Sequence, residues 1–248
     1  MRRSFSGRAS IAESAAFLIL AGLDICLLVT QRYMAFVTPL LMPVLGFMAV
    51  VFILWGIVGL RQSISSYRRV YTNAAGLFIA ALLLVGPAVF GIVPVVFQAA
   101  AQHDDGEGEA RPFGMDLESV DGDGIDTAHK RIILNTKNWY KTIFKLTKHN
   151  EEYVGYEVYM TGFVSYHDDS LNGNDFTPSR YLMLCCVNDM SPFGIACRVQ
   201  GDTHYPEFTW LAVKGKLETG DYHGMARPVL VVEDVRRARK VDGYVYPY

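Results

Sequence analysis

At 248 residues, 51% of them hydrophobic, the chain has room for one or two domains. Its net charge of −2 conceals an asymmetry: residues 1–97 carry seven Arg against Glu13 and Asp24, whereas residues 98–248 carry sixteen basic and twenty-three acidic residues. A surface of that second kind repels phosphate backbones, which disfavours broad nucleic-acid binding.

Read in chain order, the first part looks like membrane. No Asp, Glu, Lys or Arg occurs between Tyr33 and Leu60, nor between Thr72 and Gln102. A hydrocarbon core of ~30 Å is crossed by ~20 apolar helical residues. The pattern predicts three spans, at 14–30, 36–60 and 73–97, the first short and interrupted by Asp24. Pro39, Pro43, Pro87 and Pro94 lie within or near their ends, where membrane helices tolerate proline. A charge at Asp24 costs at least ~2.5 kcal/mol in lipid. It reads either as a polar contact on a translocation path or partner helix, or as a neutral, hydrogen-bonded packing residue.

Arginine placement sets the expected orientation. Arg2, Arg3 and Arg8 precede the first span and Arg61, Arg68 and Arg69 follow the second, while the first loop has only Arg32 and the last flank opens HDDGEGE. The N-terminus is expected to be cytoplasmic and the acidic half extracytoplasmic, in a multi-pass protein with an uncleaved start.

Residues 99–128 are polar, acidic and Gly-rich, the composition of a flexible tether. Within them DGDGID resembles part of a calcium loop. Ile125 and Ile132 stand where that loop needs an acid and a bidentate Glu, so a solvated linker is the better reading.

The remainder, 129–248, alternates like short strands. Strands are predicted at 131–135, 153–166, 180–187, 195–199, 209–217 and 225–236, with Gly162 as a bend or bulge in the second. A helix is predicted at 138–148, with Trp139, Ile143, Phe144 and Leu146 near one face. The strand order and the W-x-x-V-x-G stretch suggest an OB-like barrel. The expected fold is thus a membrane α-helical half of about three spans plus a small all-β OB-like barrel with one added helix. Such a barrel does not fix a function.

Cys185, Cys186 and Cys197 form the constellation with chemical promise. Adjacent strand residues face opposite ways, so Cys185 and Cys186 share a site only across a bulge. A hairpin through 189–193 would bring Cys197 opposite Cys185, close enough for a disulfide or for two ligands of one metal. Three readings stay open: structural thiols, a Cys185–Cys197 disulfide suited to an oxidising compartment, or a zinc or copper site. Asp189, His167, His204 and His223 are the candidates to complete such a site. No Ser-His-Asp or paired-carboxylate arrangement stands out, so the chain is expected not to be an enzyme.

The stretches EEYVGYEVYMTGFV, SRYLMLCCVNDMSPFG and TWLAVKGKL, the ending YVYPY, and RYMAFVTPLLMPVL before the second span resemble the YcgQ-type family of bacterial membrane proteins. The resemblance covers nearly the whole chain. It implies a subunit of a two-component permease in the lipid bilayer, beside a larger multi-span partner. It also implies zinc as cargo or cofactor, and Cys185, Cys186 and Asp189 as the positions of interest. Asn188 and the long loop 167–178 depart from the family pattern. The alternative is a membrane-anchored extracytoplasmic OB-like module that binds an envelope polymer or protein through Tyr153, Tyr156, Tyr159 and Tyr166.

Overall fold

The computed structural model describes residues 3–64, 108–168, 171–222 and 224–248. The chain divides into two units: Met1–Gln98 with Cys185–Val187, and Ala99–Leu184 with Asn188–Tyr248.

In the first unit, small residues set the packing of two helices, α1 (Arg3–Val29) and α2 (Met42–Ile64). A Cβ on Gly59 would collide with the Ser14 side chain, and one on Gly56 with Leu18, so the helices are antiparallel and in close contact. Ala16, Ala21 and Ala49 are buried in the same unit. Phe17 stacks on Phe52 at 6.1 Å and meets Trp55 edge-on at 5.6 Å. The connection is built from short-range signals. Gln31 turns the chain at φ 56°, and the Thr38 hydroxyl accepts from Leu40 N–H ahead of Pro39. Cys185–Val187 joins this unit as an antiparallel bridge: Thr38 N–H donates to Cys185 O at 3.1 Å and Val187 N–H to Phe36 O at 2.8 Å.

The expected three-span half is corrected here. Among the described residues one helix, Pro39–Arg61, is long and apolar enough to cross a membrane, with mean hydropathy 2.5 and 11% of its apolar window buried. Within α1 only the stretch Ser14–Val29 is apolar. At 1.5 Å per residue it reaches ~24 Å, less than the ~30 Å of a hydrocarbon core. The span expected at 73–97 lies outside the described residues.

The second unit is a mixed sheet of eight strands: β1 (Ile125–Asp126), β2 (Arg131–Ile133), β3 (Glu157–Ser165), β4 (Thr177–Leu182), β5 (Ser191–Gly194), β6 (Ala196–Arg198), β7 (Trp210–Tyr222) and β8 (Met225–Arg237). The order is β1-β2-β3-β7-β8-β6, with β4 on β3 and β5 on β4. Two helices, α3 (Trp139–Lys148) and α4 (Asn150–Tyr153), lie between β2 and β3.

That arrangement replaces the expected all-β OB-like barrel. β2 pairs with β3, and β6 with β8, in parallel. Parallel neighbours need a crossover, commonly helical. The helix at 139–148 is therefore the link that lets β3 return beside β2, and no addition to an all-β plan. Gly162 is structural for a related reason. A side chain there would stand 2.7 Å from the Ser179 backbone, and its absence lets β4 pair with 163–165 of β3. Gly215 marks a register shift between β7 and β8.

Helix α3 buries Trp139, Thr142, Ile143 and Leu146, an i, i+3, i+4, i+7 stripe. Phe144 falls off that stripe and is 50% exposed, contrary to the expectation for it. The expected tether is also not loose along its described part. Glu109 N–H donates to Arg237 O at 2.9 Å, Arg239 N–H to Glu109 O at 3.2 Å, and Asn135 Nδ2 to Val120 O at 2.6 Å. Residues 99–107 lie outside the described residues.

One buried charge organises this region. Arg180 is 1% exposed. Its Nη2 donates to Glu118 Oε1 at 2.8 Å, Nη1 to Thr136 Oγ1 at 2.7 Å and Nε to Thr161 O at 2.7 Å. The guanidinium also lies 5.0 Å from the Trp139 ring and 5.5 Å from that of Trp210. Thr136 donates both its N–H and its hydroxyl to Glu118 Oε2.

Both partners' pKa values are lowered, with opposite effects on ionisation. Burial lowers the Arg180 pKa and Glu118 opposes it, yet guanidinium starts so high that it stays charged. Burial of the Glu118 carboxyl raises its pKa, but the Arg180 charge and the Thr136 and Arg180 hydrogen bonds outweigh this and hold it below the ordinary value. The pair is ionised at neutral pH.

Two expectations follow. Gly59→Ala should lower the stability of the detergent-purified protein by about 1–3 kcal/mol, while Gly46→Ala, with nothing within 4 Å of its new Cβ, should not. Chemical unfolding of the two variants separates them. Glu118→Gln should cost about 3 kcal/mol by stranding a buried cation. Because the Glu118 pKa is depressed on folding, its contribution is complete above the ordinary carboxylate pKa and disappears as pH falls through the folded value. Unfolding against pH should therefore show a shallower acid loss for Glu118→Gln than for the native chain.

Candidate functional site

Between β4 and β5 the chain makes a bend and a single 3-10 turn, Val187–Asp189, before Ser191 pairs back with Leu182. Asp189 Oδ1 accepts from Leu184 N–H at 3.0 Å and ties the two ends of that bend. The strand expected at 180–187 thus stops at Leu182. The bend removes the alternation that would send neighbouring side chains to opposite faces. As a result, Cys185 Sγ, Cys186 Sγ and a carboxylate oxygen of Asp189 all lie within 4.8 Å of one another. These groups span five consecutive positions.

The donor set fits a borderline-soft ion. Tetrahedral zinc holds thiolates at ~2.3 Å, which places two of them ~3.8 Å apart. Side-chain rotation within the observed cluster covers that difference. Two sulfurs and one carboxylate select zinc or copper over calcium. Three protein ligands leave a coordination position for water or a fourth donor. Cys185 is exposed and Cys186 half-buried, so solvent reaches the group.

The other expected site residues lie elsewhere. Cys197 is wholly buried on β6, where its backbone pairs with Leu230 of β8 and bridges Phe176. Its thiol donates to Ile195 O at 3.6 Å. Burial, with the Asp175 charge adding to it, pushes the thiol pKa far up, so it stays protonated and inert. No disulfide joins Cys197 to Cys185; one thiol faces the core and the other solvent. His167 meets Ser165 Oγ at 3.2 Å and Glu207 at 3.5 Å, and His204 stacks on Tyr166 at 5.0 Å. His223 lies outside the described residues. Asp24 is half-buried on α1.

Sequence reasoning did not single out a cleft of about 510 Å³ in the second unit. Ser165, Asp175, Thr177, Phe193, Arg198 and Arg227 are among its lining residues. Thr177 is 6% exposed, and its hydroxyl has no hydrogen-bond partner among the described residues. The dispersal of these polar residues over β3, β4, β6 and β8 leaves no short motif to find.

Residues 120–247, more than half of the chain, match the family model described as the DUF1980 C-terminal domain. No curated protein and no solved structure matches the chain.

Cys197→Ser is expected to destabilise the fold by about 1–3 kcal/mol, because it buries a hydroxyl in an apolar site, while leaving any metal content unchanged. Unfolding together with elemental analysis of the purified variant checks both halves.

Proposed function

The chain belongs to the DUF1980 family, and on that premise we propose that it is a non-enzymatic, membrane-anchored accessory subunit of a permease that handles zinc or a similar ion. The observation that carries this reading is the convergence of Cys185, Cys186 and Asp189 within 4.8 Å. An exposed three-ligand site with an open position can accept an ion and pass it on, whereas a closed four-ligand site retains it. Helix Pro39–Arg61 supplies the anchor. The family resemblance supplies the larger multi-span partner.

A second reading is favoured by the cleft beside Thr177, whose buried hydroxyl and two arginines suit a polar ligand. On that reading the second unit binds an envelope polymer or protein, and the helices only anchor it.

Metal analysis of the full chain, purified in detergent with reductant, decides between them. About one zinc per chain is expected, lost on Cys185→Ser or Cys186→Ser, weakened on Asp189→Asn and retained on Cys197→Ala. A multi-span protein should copurify from native membranes. Metal-free protein that retains no such partner would remove the first reading and leave the second.

A further inference from the structure

The pairing expected for a disulfide was Cys185 with Cys197, but the structure places another sulfur beside Cys185. Cys186 Sγ is within 4.8 Å of it, on the same bend, and Cys185 is open to solvent. We propose that Cys185 and Cys186 form a reversible thiol–disulfide switch that empties the metal site when oxidised. The regulatory part rests on the metal reading above; the chemistry of the pair does not.

The oxidant is a disulfide, either a low-molecular-mass one such as oxidised glutathione or that of a disulfide oxidoreductase. Cys185 thiolate attacks one sulfur of R–S–S–R, and the departing thiolate takes up a proton and leaves as RSH. Cys186 thiolate then attacks Cys185 Sγ in the mixed disulfide and releases the second RSH. The chain loses two hydrogens and two electrons, and two RSH are formed. Neither sulfur can then bind a metal as a thiolate, since both are committed to the S–S bond. A chain holding one zinc must give it up for each disulfide formed.

The bond between neighbours is built to be temporary. Relaxed disulfides span about 4.4–6.8 Å between Cα atoms. Adjacent Cα atoms are about 3.8 Å apart. A disulfide forced into that spacing is strained, and strained, exposed disulfides are the readily reduced, regulatory ones. Cys197, protonated and buried, cannot compete for Cys185. The bend also supplies what an extended strand would deny, two neighbouring sulfurs on one side of the chain.

The full chain in detergent, loaded with zinc, is equilibrated across a series of reduced and oxidised glutathione ratios and quenched with an alkylating reagent. Cleavage before Asp189 places Cys185 and Cys186 on one peptide and Cys197 on another. At oxidising ratios the first peptide should become two hydrogens lighter and carry no alkyl group, with stoichiometric zinc release to a chromogenic chelator. Dithiothreitol should restore two alkylatable thiols and zinc binding. Cys186→Ser should stop at a single glutathione adduct on Cys185. A peptide that keeps two alkyl groups at every ratio, ends with two glutathiones, or crosslinks to another chain overturns the switch. If the lighter peptide forms in a protein that never bound zinc, the metal reading fails and the thiol pair stands. If zinc binds and the lighter peptide never forms, the reverse holds.

Discussion

A guanidinium removed from water is the constraint around which the second unit is arranged. An isolated buried cation is prohibitively costly, so every donor of Arg180 must find a partner and its charge a counter-ion. Three separate segments answer that demand. Glu118 comes from before the sheet, Thr136 from the approach to α3, and the Thr161 carbonyl from β3. Trp139 and Trp210 add their ring faces, one from the helix and one from β7. Residues with no sequence proximity are therefore locked together by one side chain. The acidic stretch before the sheet is thereby part of the domain.

That rigidity matters for the loop between β4 and β5. Arg180 lies on β4, five positions before Cys185, and β4 is hydrogen-bonded to both β3 and β5. The bend that gathers Cys185, Cys186 and Asp189 thus springs from well-anchored strands. On the proposed metal reading, ligands on a short, tied loop are held near one another beforehand, which reduces the ordering cost of binding. The same closeness brings the two sulfurs within reach of each other. A site that gathers soft ligands on solvent-exposed ground is for that reason also sensitive to oxidants.

Some of this could be read directly from the residues. The charge-free run through Phe36 and Leu60 became α2, because nothing polar interrupts it. Trp139, Ile143 and Leu146 declared the buried stripe of α3, whereas Gly162, expected as a bend or bulge, keeps unbroken register with Leu211 and marks where β4 comes close. Other features left no local trace. Glu118 is 62 positions from Arg180 and sits in a stretch with the composition of a linker. Parallel pairing leaves no mark on alternation, so β2 beside β3 and β6 beside β8 could not be told from an antiparallel meander. The cysteines' shared side depends on a bend beginning at Leu184, where the hydrophobic run RYLMLCCV argues for continued strand. Helix α1 shows the opposite failure: only its Ser14–Val29 part is apolar, shorter than a full span.

The meeting of Glu109 with Ala238 has a consequence for how the protein is made. The first described residues of the domain are fastened by its closing strand, through bonds to Arg237 and Arg239. A ribosome must therefore have passed Arg239 before this seam can close. Until then the emerging strands lack their final neighbours, a circumstance that slows maturation and invites chaperone engagement. Folding of this unit is in that sense closed by a clasp between the segment at Glu109 and the end of its last strand.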